Sequence, residues 1–448
     1  MNSHKLGSGG VEIIKVSVLS LTLIGIVAGV FTNDYVIAVP VAIVFSAIVL
    51  YAAGIFEVPV KDRIFLFRLG LGAVLIRFLF IVATHSFDTA FINYVNSSDA
   101  QYYEYMGRQI ADAWHGGGTI AVPTGNYGYF YWNGLIYYLA GFKPDLLRVL
   151  NSIASVCIGL NLYFISLKLS GPKAARISFA LAAYFPSAVL WSSLNLKDSL
   201  IIFLITLIVK KNIELMEKFQ LGKVLFMSLL LMALVSLRFY VGILLAICIS
   251  LSYILTATKF LWWQRAAYTL AIFLIAGLAL QQMGYGFMGK DYVFSQSIET
   301  IGEQHEKGAY GQGAFAGDVS FDSYSAALKY LPTGIFYFLF GPLPWQSVGA
   351  IRIITLPEMI FLYYLYIYFI AGTKHLWRYQ RGACLFLLVI VICFGLIYSL
   401  GSSNIGGLYR IRLQVIMIAF IAISEGLQNS WILARIFGRL AGKKYLLK

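Results

Sequence analysis

The feature that most constrains this chain is a succession of long apolar segments whose short connections carry Lys and Arg in every second loop. Segments near 13–32, 35–56, 64–84, 146–168, 174–193, 198–210, 222–237, 240–258, 266–283, 354–371, 383–400 and 411–427 are rich in Leu, Ile, Val and Phe, without the strict alternation of a barrel strand. Each reads as a helix able to cross a hydrocarbon layer roughly 30 Å thick, and together they predict an all-α membrane protein, a polytopic helix bundle of about 12 spans. Composition agrees, with 60% of residues hydrophobic and 12% charged. Residues 1–448 read as a single integral membrane domain, with no internal repeat, low-complexity tract or linker setting off a soluble module. The stretch 331–348 is apolar but interrupted by Pro332, Pro342 and Pro344, and reads as re-entrant or interfacial. The first span follows Met1-Asn2-Ser3-His4-Lys5 without a small-residue cleavage site, so it is expected to be retained.

Orientation follows from the basic residues. Lys61, Arg63 and Arg68; Lys168, Lys173 and Arg176; Lys210, Lys211, Lys218 and Lys223; Lys259 and Arg265; and Lys374, Arg378 and Arg381 fall in alternate connections, which are therefore expected to be cytoplasmic. The basic tail, 428–448, with Arg435, Arg439, Lys443, Lys444 and Lys448, falls on the same side, as does the N-terminus. The net charge of +14 is then an insertion signal with added attraction to anionic membrane lipids, and gives no reason to expect a nucleic-acid partner. Two long segments face outward, 85–145 and 284–330, the second extending to 350 with the proline-broken stretch. Cys157, Cys248, Cys384 and Cys393 all lie in spans and cannot build a disulfide framework for these loops.

The first outer loop gathers Asp88, Asp99, Glu104, Asp112 and Asp145 among many aromatic residues, including Tyr102, Tyr103 and Trp132. Aromatic faces pack on the apolar faces of a pyranose while carboxylates and amides take its hydroxyls, so this composition suits sugar recognition. The same rings also suit a headgroup belt. Asp99, in Ser97-Ser98-Asp99-Ala100-Gln101-Tyr102-Tyr103, reads by itself more simply as a solvated acid or a helix N-cap than as a general base. Asn96-Ser97-Ser98 fits the glycosylation pattern, which is common by chance.

A second set of charges lies on the side that positive-inside bias disfavours: Lys197 and Asp198, Arg238, Arg410 and Arg412. Basic residues kept at outer helix ends suit a phosphate, which Arg grips through paired donors and Lys as a point charge. Snorkelling, or pairing of Lys197 with Asp198, is the plainer alternative. Arg77, inside the third span, reaches either the outer surface or a cavity. The second outer loop carries Gly302, Gly308, Gly311, Gly313 and Gly317, and reads as a lid or as an ordinary exposed loop. His85, His115 and His305 are scattered without the spacing of transition-metal ligands.

Taken in order, several pieces resemble the GT-C superfamily of polyprenyl-phosphate-dependent glycosyltransferases, especially its bacterial protein-mannosyltransferase and aminoarabinose-transferase branch (glycosyltransferase family 39-like). They are Ser98-Asp99-Ala100-Gln101-Tyr102-Tyr103, Ala183-Tyr184-Phe185-Pro186-Ser187, Asn195-Leu196-Lys197-Asp198-Ser199 and Leu237-Arg238-Phe239-Tyr240. Tyr330-Leu331-Pro332-Thr333-Gly334, Phe340-Gly341-Pro342-Leu343-Pro344-Trp345 and Asn404-Ile405-Gly406-Gly407-Leu408-Tyr409-Arg410-Ile411-Arg412 complete the series.

The resemblance implies a bundle with short interfacial helices in its outer loops, seated in a bacterial inner membrane with the active site extracytoplasmic. It implies inverting transfer of a sugar from a polyprenyl-phosphate-linked donor to a glycan, lipid or protein acceptor. Asp99 would be the catalytic base; Lys197, Arg238, Arg410 and Arg412 would hold the donor phosphate; Tyr102, Tyr103 and Trp132 would contact sugar or acceptor. Many relatives carry a second acid directly after the loop aspartate, where this chain has Ala100. Glu104, Asp112 and Asp145 are then the candidate helper acids, and the use of a divalent cation is left open. An oligosaccharide-lipid polymerase or ligase shares the same features, whereas a flippase or transporter would place ionisable residues near the bilayer midplane.

Overall fold

A computed structural model describes residues 60–86, 98–123, 127–218, 220–256, 323–343 and 352–428, with a few single residues between them. In chain order its helices are α1 (Val60–Ser86), α2 (Ser98–His115), α3 (Tyr127–Ala140), α4 (Pro144–Ser170), α5 (Pro172–Tyr184), α6 (Pro186–Ser192) and α7 (Asp198–Glu217). There follow α8 (Leu221–Leu237), α9 (Phe239–Leu255), α10 (Tyr324–Phe340), α11 (Arg352–Tyr379), α12 (Arg381–Gly401), α13 (Ile405–Ile411) and α14 (Leu413–Gln428).

Among the described residues four helices are long and apolar enough to cross a membrane, or up to six spans if each of two bent pairs counts as one. The protein is an integral membrane protein. The expected spans 13–32 and 35–56, nearly all of 266–283, and the tail beyond 428 lie outside the described residues. Every other expected span falls on a described helix or bent pair, although α8 and α9, at 17 residues each, reach only about 25 Å.

Three local expectations are revised. The stretch around Pro332 is not broken there: α10 runs unbroken through Pro332 and ends only before Gly341-Pro342. A proline removes one helical bond, and packing of α10 against α12 holds the helix through that loss. The segment 198–210 continues as helix to Glu217, because its final charges pair locally, Glu214 Oε2 lying 3.2 Å from Lys211 Nζ and 3.0 Å from Lys223 Nζ. The segment 174–193 is two helices, α5 and α6, meeting at 51°. Pro186 supplies no N–H at that junction, and neighbouring backbone groups turn to side chains from elsewhere. Ala183 O accepts from Arg77 Nη1 at 2.7 Å, while the Ser187 N–H donates to Glu358 Oε2 at 2.6 Å.

Arg77 therefore neither snorkels nor faces an outer cavity. It is fully buried, and besides Ala183 O it bonds Ser192 Oγ at 2.8 Å, Ser155 Oγ at 2.9 Å and Ala73 O at 3.0 Å. These bonds tie α1, α4, α5 and α6 together where a lone guanidinium would be costly.

The buried centre is built from α4, α7 and α14, whose Leu, Ile, Val and Phe side chains interlock with α5 and α6. Between α1 and α4, α2 and α3 form a closely packed pair. A Cβ on Gly107 would lie 2.5 Å from Asn133 Cβ, and one on Gly134 would lie 2.5 Å from Ile110 Cγ2, so both positions require glycine. This pair presents Asp99 and Tyr103 toward the connections that lead into α7 and α9.

Candidate active site

The site begins with an irregular segment, 193–197, between α6 and α7. Buried backbone without helical bonds must find partners: Asn151 provides them, and it belongs to a set of four fully buried side chains with Tyr129, Asn133 and Asn195. Asn151 Nδ2, on α4, lies 2.9 Å from Leu194 O, 3.0 Å from Leu196 O and 3.0 Å from the Tyr129 hydroxyl. Tyr129 in turn donates to Asn195 Oδ1 at 2.7 Å, Asn195 Nδ2 donates to Asn133 Oδ1 at 2.8 Å, and Asn133 Nδ2 donates to Tyr129 O at 2.8 Å. This closed network fixes the segment that delivers Lys197 and Asp198.

Asp198 opens α7, where the positive end of the helix dipole favours a carboxylate. Its side chain is 2% exposed and sits between two arginines: Arg410 Nε is 3.2 Å from Oδ2 and Arg238 Nη1 is 3.6 Å from Oδ1. Arg238 is held in extended backbone between α8 and α9. Behind it, the Tyr398 hydroxyl donates to Gln414 Oε1 at 2.6 Å.

Arg410, on α13, makes the second half of the site. Its Nη1 donates to Asp99 Oδ2 at 3.0 Å while its Nε faces Asp198, so one guanidinium bridges two carboxylates contributed 99 positions apart in the chain. Asp99 lies in the first turn of α2, and Tyr103 follows one turn later on the same face. Lys197 Nζ lies 6.0 Å from the centre of the Tyr103 ring, which packs edge-on against Tyr129 at 4.8 Å. Burial, followed by the nearby Arg238 charge, pushes the Lys197 ammonium down to about 7. Burial, followed by the Asp99 charge, pushes the Tyr103 phenol up, keeping it protonated.

Asp99, Lys197, Arg238 and Arg410 are thus brought together, with Tyr103 packed beneath Lys197. Arg412 is placed elsewhere. It is buried two residues past Arg410, with Nη1 donating to Phe338 O at 2.9 Å and Leu339 O at 3.4 Å, so it caps the C-terminal end of α10. Of the candidate helper acids, Glu104 and Asp145 both face Arg148, at 3.8 and 3.7 Å, and Asp112 pairs on the surface with Arg108 at 3.8 Å. The acid that stands beside the Asp99–Arg410 pair is Asp198. Its sequence signal was an acid at the first residue of an apolar helix, on the outer side, which looked like a local partner for Lys197. Tyr102 is exposed and meets Phe130 edge-on at 5.4 Å, whereas Trp132 packs toward Ala111, Tyr137 and Leu147. Among the described residues no three His, Cys, Asp or Glu side chains gather to hold a metal ion.

Comparison with solved structures places this architecture. An ArnT from Cupriavidus metallidurans, solved bound to undecaprenyl phosphate, superposes with a TM-score of 0.50 at 14% identity, covering 75% of this chain and 56% of that one. The archaeal oligosaccharyltransferase AglB from Archaeoglobus fulgidus, in complex with an inhibitory peptide and a dolichol-phosphate, gives 0.52 at 11% identity, covering 85% of this chain and 52% of that one. The chain has the GT-C fold. It spans a little over half the length of these two GT-C proteins. No protein-family model matches the sequence, and no curated protein matches it either. The GT-C likeness is therefore carried by the arrangement of the helices.

Proposed function

We propose that this GT-C protein is an inverting glycosyltransferase that moves a sugar from a polyprenyl-phosphate-linked donor to a glycan, lipid or protein acceptor on the extracytoplasmic face of a bacterial inner membrane, with both termini cytoplasmic. The observation that carries the reading is Asp99 bonded to Arg410 inside a group of three cations, Lys197, Arg238 and Arg410. A base and an anion-binding set in one place is what displacement of a phosphate from an anomeric carbon requires.

In the reaction, an acceptor hydroxyl or amine attacks the anomeric carbon while its proton passes to the Asp99 carboxylate. The bond from that carbon to the phosphate oxygen breaks, and its electron pair leaves on the polyprenyl phosphate. Arg238, Arg410 and Lys197 stabilise the charge that grows on this oxygen, and a carboxylate base so placed contributes on the order of 10²- to 10⁴-fold. Arg412 has its guanidinium on backbone carbonyls, so in this scheme it holds α13 and leaves the phosphate to its neighbours.

Charge balance supports a monophosphate. With Lys197 protonated, three cations against Asp99 and Asp198 leave a single positive charge, matching the one negative charge of a phosphodiester donor. A diphosphate-linked glycan, the substrate of a polymerase or ligase, would bring in excess negative charge. The test is a purified-protein assay with a panel of polyprenyl-monophosphate sugars. Transfer or hydrolysis from any of them supports the reading; turnover only of a diphosphate-linked glycan would replace it with the polymerase or ligase.

A further inference from the structure

Arg410 serves two acids of very different freedom. Asp198 is 2% exposed and fixed at the start of α7, whereas Asp99 is 48% exposed on the first turn of an outer helix. Arg410 itself is 17% exposed. It rides on a short helix whose neighbouring residues are both anchored: Tyr409 packs edge-on against Trp191 at 6.5 Å, and Arg412 is bonded to the end of α10. If one of these three groups lets go, it is Asp99.

The Asp99 carboxylate is also the one competitor of an incoming phosphate that can leave. Phosphate oxygens entering between Lys197, Arg238 and Arg410 need guanidinium N–H groups, and one that faces the exposed acid, on Arg410 Nη1, is already donated to Asp99. Conversely, the bond from Arg410 holds Asp99 Oδ2 and fixes where the carboxylate points, so the base is aimed at Arg410 rather than at an acceptor hydroxyl. Base and donor therefore draw on the same donor group.

We infer that Arg410 is a donor-sensing latch on the base: it holds Asp99 while the phosphate site is empty and releases it when a lipid phosphate takes over Nη1. This rests on the phosphate-site reading above and adds an order to it. The lipid-linked donor binds first, and only then is Asp99 free to accept a proton from the acceptor. After transfer, departure of the polyprenyl phosphate returns Arg410 to Asp99, and the re-formed ion pair expels the captured proton to solvent, resetting the base.

The test is a binding cycle in the detergent-solubilised full chain, with farnesyl phosphate as probe and titration calorimetry as readout. Wild type, Asp99→Asn, Arg410→Gln and the double variant are compared. The latch predicts that Asp99→Asn binds the probe about five- to tenfold more tightly than wild type, and that this gain disappears in the Arg410→Gln background. A gain that persists undiminished without Arg410 would mean simple charge repulsion and overturn the latch. Weaker binding in Asp99→Asn would mean that Asp99 orients Arg410 for the phosphate, and would also overturn it. Failure of all four proteins to bind removes the phosphate site itself and the latch with it. Where Arg410→Gln binds too weakly to measure, Arg410→Lys takes its place; it keeps the charge but cannot bridge both acids, so the Asp99→Asn gain should shrink at least threefold.

Discussion

Asp198 and Arg238 meet across 3.6 Å although they start and end different helices, and the carboxylate is buried. A second arginine, Arg410, reaches the other oxygen of the same acid. The buried Arg238 and the half-buried Arg410 face each other across this carboxylate, and removing its charge leaves like charges facing each other.

Asp198→Asn is accordingly expected to destabilise the protein by about 3 kcal/mol and to lower its melting temperature in detergent, measured by scanning fluorimetry. The amide keeps the shape, so a melting curve that overlays the wild type would show that the charge is not what holds the two arginines in place. Transfer activity should fall with stability, because both proposed phosphate ligands lose their anchor.

Asp99→Asn separates chemistry from binding. Asp99 is half exposed and is not part of the packed core, so this variant should fold and melt like the wild type. Turnover should fall by about 10² to 10⁴, while farnesyl phosphate binding is strengthened. Single-turnover rates measured beside probe affinity check this, and an unchanged rate would take Asp99 out of the mechanism.

How far the sequence reaches can be judged from particular residues. The apolar segments and the loop bearing Asp99 were visible because burial in lipid and positive-inside bias leave periodic, one-dimensional signals. The meeting of Asp99 with Arg410 was not, since their juxtaposition depends on how α2 and α13 pack, 311 positions apart. Asp198 is hard to place for a related reason: beside Lys197 in the chain it looks self-neutralised, yet its oxygens face Arg238 and Arg410 from distant parts of the chain. Pro332 shows the reverse error, a strong local breaker overridden by packing. Arg410 and Arg412 cannot be told apart by type or position, and only the short α13 turns one toward Asp99 and the other toward the carbonyls of Phe338 and Leu339.

That divergence makes Arg412 and Arg238 a matched pair of tests. Arg412→Gln leaves the end of α10 uncapped in a buried setting and should cost about 2 kcal/mol of stability. The affinity of folded Arg412→Gln for farnesyl phosphate should stay within about twofold of wild type, whereas Arg238→Gln should weaken it by roughly tenfold. Equal losses of affinity in both would return Arg412 to the phosphate site.

Lys197 gives the site a pH dependence near neutrality. With its ammonium pushed down to about 7 by burial and the adjacent arginines, it is charged below that pH and increasingly neutral above it. A bound phosphate favours the charged form, so farnesyl phosphate, itself fully ionised well above its second pKa of about 6, should bind progressively less well as pH rises beyond 7, with binding there drawing a proton from the buffer. Folding responds with the opposite sign: the unfolded chain holds this proton up to its ordinary value of 10.5, so between about 7 and 10.5 burial of neutral Lys197 becomes less costly as pH rises. Titration calorimetry at pH 8 in buffers of different ionisation enthalpy measures the proton directly. The apparent enthalpy should vary with buffer in the wild type and become independent of it in Lys197→Met, which keeps the length and packing of the side chain over Tyr103. A buffer dependence that survives in Lys197→Met would assign the proton to another group.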